Sequence, residues 1–88
     1  MRKRRNISVD HSHICFKPCG VKSLELERVE LRADEMEALR LADFEGLYQQ
    51  ECADKMKISR TTFSRLIESA RKKVADTLLH TKALSIKV

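Results

Sequence analysis

The chain has 88 residues and a formal net charge of +5, with 42% apolar and 35% charged residues. This length suits one domain with a small core, and the composition is too apolar for a wholly disordered chain. No apolar run could span a membrane or follow the basic start as a secretory signal would, so we expect a cytoplasmic protein with no membrane partner.

Charge is strongly segregated along the chain. Residues 1–24 carry six basic groups and one acidic group, and residues 25–54 carry three basic and ten acidic groups. Residues 55–88 again favour positive charge, with nine basic and two acidic groups. Two positive ends around a negative middle indicate a polyanionic partner, and nucleic acid is the usual one.

The N-terminal third is predicted to contain an arm, a turn and a strand. Residues 1–14 form a basic flexible arm, whose cations could lie in a DNA minor groove or along phosphates, or could simply keep the chain soluble. These cations are Arg2, Lys3, Arg4 and Arg5. Residues 15–32 hold a turn at "CFKPCG", with the only Pro, and a short strand in the imperfectly alternating "LELERVEL".

From residue 33 the apolar residues recur with a helical period. Met36, Leu39 and Ala42 are spaced three apart, and acidic residues occupy the first turn, where the helix dipole favours them. This predicts a first helix with these three side chains facing inward. It should end near Asp43, before the turn at "FEG".

Two more helices and a strand complete the prediction. A second helix fits residues 49–57, and a third runs from the N-cap Ser59 to about Leu79. The third helix carries an apolar stripe at Phe63, Leu66, Ile67, Ala70, Val74 and Leu78. In the C-terminal segment 82–88, a strand-like tail is indicated by Leu84, Ile86 and Val88. We therefore predict a mainly α fold, with a three-helix core over residues 33–81 and short flanking strands.

The second and third helices satisfy the spacing of a helix-turn-helix. Counting Gln49 as the first position, the motif needs apolar residues at positions four, eight, ten, fifteen and eighteen, and a small residue at position five. These positions hold Cys52, Met56, Ile58, Phe63, Leu66 and, at the fifth, Ala53. The ninth position commonly holds Gly because it takes a positive φ. Lys57 stands there instead, at a cost of about 1 kcal/mol.

If the apolar stripe faces inward, the polar side chains at the start of the third helix face outward. In a helix-turn-helix this end enters the DNA major groove, where Arg pairs with guanine and hydroxyls serve base edges or phosphates. The candidates for base reading are Arg60, Thr61, Ser64 and Arg65. Candidates for backbone contacts are Lys57, Ser59, Thr62, Arg71 and Lys72. The alternative is an ordinary polar helix face with a Ser cap.

These patterns resemble known proteins. The stretch "LRADEMEALRLADFEGLYQQECADKMKISRTTFSRLIESARKKVADTLL" resembles region four, a promoter-reading domain, of bacterial sigma factors. It resembles more closely a family of small archaeal and bacterial proteins catalogued as domain of unknown function number one-three-four. The motifs that carry this resemblance are "FKPxG" at residues 16–20, "EALRLADxEGL" at 37–47 and "SRTTFxRxxESARKKVAD" at 59–76. The resemblance covers about residues 15–88 and implies a sigma-region-four-like helix-turn-helix, winged or simple, that binds DNA. The chain departs from the family at Arg32, where relatives tend to have a Ser or Thr cap, and at Cys19.

The function predicted is sequence-specific binding of double-stranded DNA in transcription regulation, with helix 60–79 as the recognition helix. No Gly-rich phosphate loop and no Ser/His/Asp or paired-carboxylate arrangement stands out, so we expect no enzymatic activity. One alternative is a protein-interaction adaptor that docks on the transcription machinery, such as RNA polymerase, through the acidic residues 25–54.

A second alternative is a metal- or redox-responsive regulator. His11, His13, Cys15 and Cys19 lie within nine residues, and two imidazoles with two thiolates suit tetrahedral Zn²⁺. The spacing matches no standard zinc module, so we expect no cofactor, with a zinc site or a redox-active thiol pair left open. An odd cysteine count argues against a disulfide framework, and Cys52 is predicted to be a small buried residue.

A homodimer is a further expectation, because a single helix-turn-helix makes few base contacts and half-sites usually lie about 34 Å apart. Two features could supply the contact. One is the end of the third helix, at Val74, Leu78 and Leu79, and the other is the C-terminal strand. That strand could instead pair with "LERVEL" of the same chain.

Overall fold

A computed structural model describes residues 14–22 and 25–87. The elements, in chain order, are the strands β1 (Ile14–Phe16) and β2 (Arg28–Leu31), helix α1 (Ala33–Leu39), a π-helical segment (Arg40–Phe44), helices α2 (Gln49–Met56) and α3 (Arg60–Leu79), and strand β3 (Ala83–Ile86). The predicted mainly α fold with three helices and short flanking strands is confirmed. In this part of the chain, no helix is long and apolar enough to cross a membrane.

The buried stripe of the first helix is shifted by one position toward the N-terminus from the predicted stripe. Glu35, Ala38 and Leu41 are buried, whereas Met36, predicted to face inward, is exposed. Leu39 and Ala42, the other two residues of the predicted stripe, are only partly buried and pack against the core. The prediction was wrong because a glutamate occupies the buried stripe, and a search for recurring apolar residues passes over it.

The first helix ends near Asp43 as predicted, and its last part is the π-helical segment that runs to Phe44. The wider turn is closed by the Glu45 N–H, which donates to the Arg40 carbonyl at 2.9 Å, five residues back. The N–H of Leu47 then donates to the Leu41 carbonyl at 3.1 Å. These bonds satisfy the backbone as the chain turns into α2.

Helices α2 and α3 pack with α1 around one core. All six residues of the predicted helix-turn-helix positions belong to it or pack against it, namely Cys52, Ala53, Met56, Ile58, Phe63 and Leu66. Lys57 has φ +59°, the left-handed conformation expected at the ninth position. Its N–H donates to the Asp54 carbonyl at 3.2 Å, and the Ile58 N–H donates to the Ala53 carbonyl at 3.0 Å. This pair of bonds is the Schellman pattern that ends many helices.

The apolar stripe of α3 follows the prediction only over its first turns. Phe63, Ile67 and Ala70 are buried, but Leu78, predicted to face inward, is exposed and Thr77 is buried instead. From Ala70 onward the neighbour of α3 is the sheet, so the buried face is no longer set by the three-helix core. The Thr77 hydroxyl donates to the carbonyl four residues back at 2.9 Å, which satisfies it inside.

The three strands form one sheet in the order β1–β3–β2. Strand β3 is antiparallel to β1, with Ile14 opposite Ile86, and parallel to β2, with Val29 opposite Leu84. The C-terminal strand therefore pairs within its own chain, and it has no free edge to offer a second chain. Val88 lies outside the described residues, and the division of the chain into arm, turn, helical domain and tail stays a prediction.

Candidate nucleic-acid interface

The turn between α2 and α3 ends in a compact helix cap. The Ser59 Oγ accepts a hydrogen bond from the Thr62 backbone N–H at 3.1 Å, so Ser59 is the N-cap, as predicted. Its hydroxyl also donates to the Thr62 Oγ1 at 2.9 Å. Both side chains are exposed, as is Lys57 in the turn. The three candidate backbone contacts therefore stand together at the start of α3, two of them already joined to each other.

The four candidates for base reading are all exposed, but they do not share one depression. Arg60, Thr61 and Ser64 line a shallow depression with Gln49, where the N-terminal ends of α2 and α3 meet. Arg65 lies further round the helix and lines a different depression. The structure thus brings three of the four together and places the fourth on the adjacent side of α3.

The polar side chains at the start of α3 differ from other charged side chains of the domain in their hydrogen bonds and ion pairs. Within residues 14–22 and 25–87, the four base-reading candidates make no side-chain hydrogen bond or ion pair with one another or with any other side chain. Elsewhere in the domain, Arg40 lies against Glu37 and Glu45, and Lys82 lies 3.1 Å from Asp76. The donors at the start of α3 therefore face solvent, where a partner could use them.

Two of the predicted phosphate contacts lie further along α3. Arg71 donates two hydrogen bonds to Asp43, from Nη2 at 2.6 Å and from Nε at 3.1 Å. The bond from Arg71 is the main reason why the pKa of the Asp43 carboxyl lies below its ordinary value. Arg71 thus ties α3 to the π-helical segment, while its neighbour Lys72 is exposed and makes no ion pair among the described side chains.

The sequence prediction missed a buried carboxylate that joins α1 to α3. The Oε1 of Glu35 accepts from Lys73 Nζ at 2.8 Å and from the Arg32 backbone N–H at 2.9 Å, and its Oε2 accepts from the Ser69 hydroxyl at 2.7 Å. Lys73 also donates to the Glu30 carbonyl of β2 at 2.9 Å. The one available signal was a Glu three residues after the N-cap position, half of a capping box.

Burial and hydrogen bonding act on the Glu35 carboxyl in opposite directions. Burial is the largest single effect and raises its pKa, but the bonds from Lys73, Arg32 and Ser69 together bring the pKa below the ordinary value. The carboxyl is therefore charged at neutral pH. A charged, fully bonded pair in this position fixes how α3 is rotated against α1.

Of the four proposed metal ligands, the described residues include only Cys15 and Cys19. His11 and His13 lie outside them, as do the basic arm residues Arg2, Lys3, Arg4 and Arg5. Cys15 and Cys19 are exposed, and Cys52 is buried as predicted. Over residues 14–22 and 25–87, no three His, Cys, Asp or Glu side chains form a group that could hold a metal. The expectation about zinc stays a prediction.

Comparison with known proteins gives family relationships. A family model described as "Protein of unknown function DUF134" matches residues 1–88. The chain is 56% identical over 72 residues to a UPF0251 protein of Prosthecochloris aestuarii, covering 82% of this chain and 46% of that protein. It is 57% identical over 72 residues to a UPF0251 protein of Vibrio cholerae, covering 82% of this chain and 74% of that protein.

A UPF0251 protein of Thermoanaerobacter is 56% identical over 71 residues, covering 81% of this chain and 63% of the relative. The chain spans about half the length of the Prosthecochloris aestuarii relative, with 46% of its residues. No solved structure matches the chain. The suspected membership of the unknown-function family is confirmed, and the resemblance to sigma region four stays an expectation.

Proposed function

We propose that this chain, which belongs to the family of proteins of unknown function DUF134, binds double-stranded DNA in a sequence-specific way and regulates transcription. The observation that carries the proposal is the set of exposed, unengaged donors at the start of α3. They stand on the second of two helices that are joined by a turn with a left-handed residue, Lys57, and a helix-turn-helix requires this arrangement. The proposal includes no catalytic step and places the protein in the cytoplasm.

Helix α3 would be the recognition helix. The major groove is about 12 Å wide and admits one α helix, whose N-terminal residues meet the base edges. The short side chains of Thr61 and Ser64 allow a close approach, and Arg60 and Arg65 on either side are long enough to reach guanine. Lys57 and the hydroxyls of the helix cap would meet phosphates beside the groove.

The distribution of positive charge also supports an orientation in which the start of α3 faces the DNA. Residues 55–88 carry nine basic and two acidic groups, and the cations of the turn and of the first turns of α3 make no ion pair within the described part of the chain. Neutralising phosphates with such cations releases counterions and supplies most of the sequence-independent affinity. The basic arm adds Arg2, Lys3, Arg4 and Arg5, for which phosphate or minor-groove contacts are proposed.

The experiment that tests the proposal is selection of bound sequences from a random duplex pool by the full chain. Enrichment of one motif supports sequence-specific binding. Arg60→Ala should then relax the base preference at one position, whereas Arg28→Ala, an exposed arginine on β2, should leave the motif unchanged. Salt-sensitive binding without any enriched motif would contradict sequence reading.

A second candidate, docking on a protein of the transcription machinery, is favoured by two strongly exposed aromatic residues. Phe44 ends the π-helical segment and Tyr48 precedes α2, and both side chains are more than four-fifths exposed. They stand in the acidic segment, residues 25–54. Retention of the chain on RNA polymerase, lost in Phe44→Ala and accompanied by no duplex enrichment, would favour this candidate over DNA binding.

A further inference from the structure

Strand β1 is an outer strand of the sheet, and in the described part of the chain nothing pairs with its other side. Its side chains, Ile14, Cys15 and Phe16, are all exposed and uncharged. Natural proteins usually protect such an edge with charged residues, proline or a bulge. The opposite outer strand, β2, has such charges at Arg28 and Glu30. The edge of β1 is thus apolar and short, and it lacks charged protection.

The exposed apolar surface continues from β1 onto the end of α3. Phe16, Pro18 and Leu78 line one depression, together with the polar residues Lys17, Thr77, Thr81 and Lys82 at its rim. Phe16 is 59% and Leu78 75% exposed. At 1.5 Å per residue, Leu78 lies about 27 Å along the helix from Arg60. This surface is therefore separate from the candidate nucleic-acid interface.

We propose that the β1–α3 surface, formed by β1, Pro18 and Leu78, binds a second copy of the chain through antiparallel pairing of the two β1 strands. A two-fold axis brings the same surface patch of both copies together, and two identical strands related by such an axis run antiparallel. The pairing joins two three-stranded sheets into one of six strands. It covers the unprotected edge of each copy and places Phe16 of each copy beside Ile14 of the other.

The area of the surface sets the strength of this dimer. The exposed parts of Ile14, Phe16 and Leu78 amount to on the order of 350 Å² per chain, against about 800 Å² per partner in a standard stable interface. The backbone of β1 and the flanking Pro18 add a smaller share. The dimer should therefore be weak, and its population should change over accessible protein concentrations.

The register of the pairing follows from the three-residue strand. Centred on Cys15, it places Ile14 opposite Phe16 of the second copy, so large apolar side chains meet on both sides of the axis. The two Cys15 residues then stand directly opposite each other, with Cβ atoms about 4.5–5.5 Å apart. In the sheet, Cys15 lies opposite Ser85, on the face away from Ile14 and the core, so a reagent can reach it.

The first experiment is sedimentation equilibrium of the full chain without DNA, from about 1 to several hundred micromolar. We expect the average mass to rise from monomer to dimer. Leu78→Asp should weaken dimerisation at least tenfold, because it places a carboxylate in the contact between the two copies. Leu78 is exposed in the single chain, so the substitution should not disturb the fold. Phe44→Asp is the matched control, also at an exposed apolar residue but on the π-helical segment, and it should leave the equilibrium unchanged.

The second experiment locates the axis with a short bis-maleimide, which joins two thiols by addition. A Cys19→Ser variant, which keeps Cys15, should give covalent dimers in high yield at dimer-forming concentrations. A Cys15→Ser variant, which keeps Cys19, should give at least fivefold less, and Cys52 is buried in both. Circular dichroism confirms that each variant is folded.

Three results would overturn the inference. They are a monomer at every concentration, which would mean that another part of the same chain covers the edge; an unaltered dimer in Leu78→Asp; and equal cross-linking through both cysteines. Because DNA is absent from both experiments, a monomeric result leaves the proposed DNA binding standing. A failure to select any DNA motif would likewise leave the dimer standing.

Discussion

Replacement of Lys73 by methionine tests the buried network between α1 and α3. The Glu35 side chain is 1% exposed, and Lys73 is the cation that lies 2.8 Å from its Oε1. Removing one partner of a buried pair costs about 3–5 kcal/mol when the other charge stays buried alone, and Glu35 would keep only the bonds from Arg32 and Ser69. The lysine side chain is 31% exposed, so water already screens part of the pair, and the lower limit of about 3 kcal/mol is the better expectation.

This loss is large for a chain of this size. Small domains are stable by about 5–10 kcal/mol, so Lys73→Met should remove a third or more of the free energy of unfolding. With a urea dependence of about 1.5 kcal/mol/M, the unfolding midpoint at pH 7 should fall by about 2 M. The assay is urea unfolding followed by far-UV circular dichroism. The matched control is Lys72→Met at the exposed neighbouring lysine, which should stay within about 0.5 kcal/mol of the parent protein.

The dependence on pH identifies Glu35 as the cause. Its pKa is lowered in the fold, so its contribution is present above the ordinary pKa of 4.5 and is lost as pH falls through the folded-state pKa. The deficit of Lys73→Met should therefore be greatest at neutral pH and shrink below about pH 4.5. In a Glu35→Gln background, Lys73→Met should cost less than about 1 kcal/mol. Equal effects of Lys73→Met and Lys72→Met, or a deficit independent of pH, would refute the reasoning.

Three further predictions concern the turn, the DNA contacts and the thiols. Lys57→Gly should raise the free energy of unfolding by about 0.5–1 kcal/mol in urea titrations, because glycine adopts φ +59° without strain; a decrease would contradict this account. In binding titrations, Arg60→Ala should cost about 1–3 kcal/mol on the selected sequence only. Lys72→Ala should weaken all sequences alike and reduce the salt slope by about 1, and two identical profiles would contradict the base-reading assignment. Protein purified without chelator should contain clearly less than one zinc per chain by elemental analysis, whereas one zinc lost in Cys15→Ser and Cys19→Ser would establish a metal site.

The arrangement of α2, the turn and α3 could be predicted because its determinants are local. Cys52, Ala53, Ile58 and Phe63 lie within twelve positions of one another and meet in the core at the predicted places. The turn is also local, because Lys57 needs only its own positive φ and two hydrogen bonds to the preceding turn. Spacing alone therefore contains most of the information that this part of the fold requires.

The buried face of α1 could not be predicted in the same way, and the pairing of the C-terminal strand with "LERVEL" of the same chain could be predicted only as one of two alternatives. A carboxylate in an apolar stripe is normally a surface residue, and the lysine that makes Glu35 acceptable inside lies 38 positions away. The sheet depends on still longer range, since β3 runs parallel to β2 after the whole helical part of the chain has intervened. Only the folded chain brings these partners together, so no local period reports them.

The two charged contacts of α3 support the orientation that its buried apolar residues set. Arg71 and Lys73 are two residues apart, which is about 200° around a helix, so they lie on nearly opposite sides. Arg71 is held by Asp43 of the π-helical segment, and Lys73 is held by Glu35 of α1. A rotation of α3 by one residue would break both contacts. The acidic first half of the helical domain thus uses its charge to orient α3 from both flanks, while the donors at the start of the helix, including Arg60, are left without a partner in the described residues. If α3 reads DNA, the acidic residues that hold its two flanks help both to orient the helix and to leave the donors at its start free. Lys73→Met should then impair DNA binding, although Lys73 lies on a side of the helix that faces away from the groove.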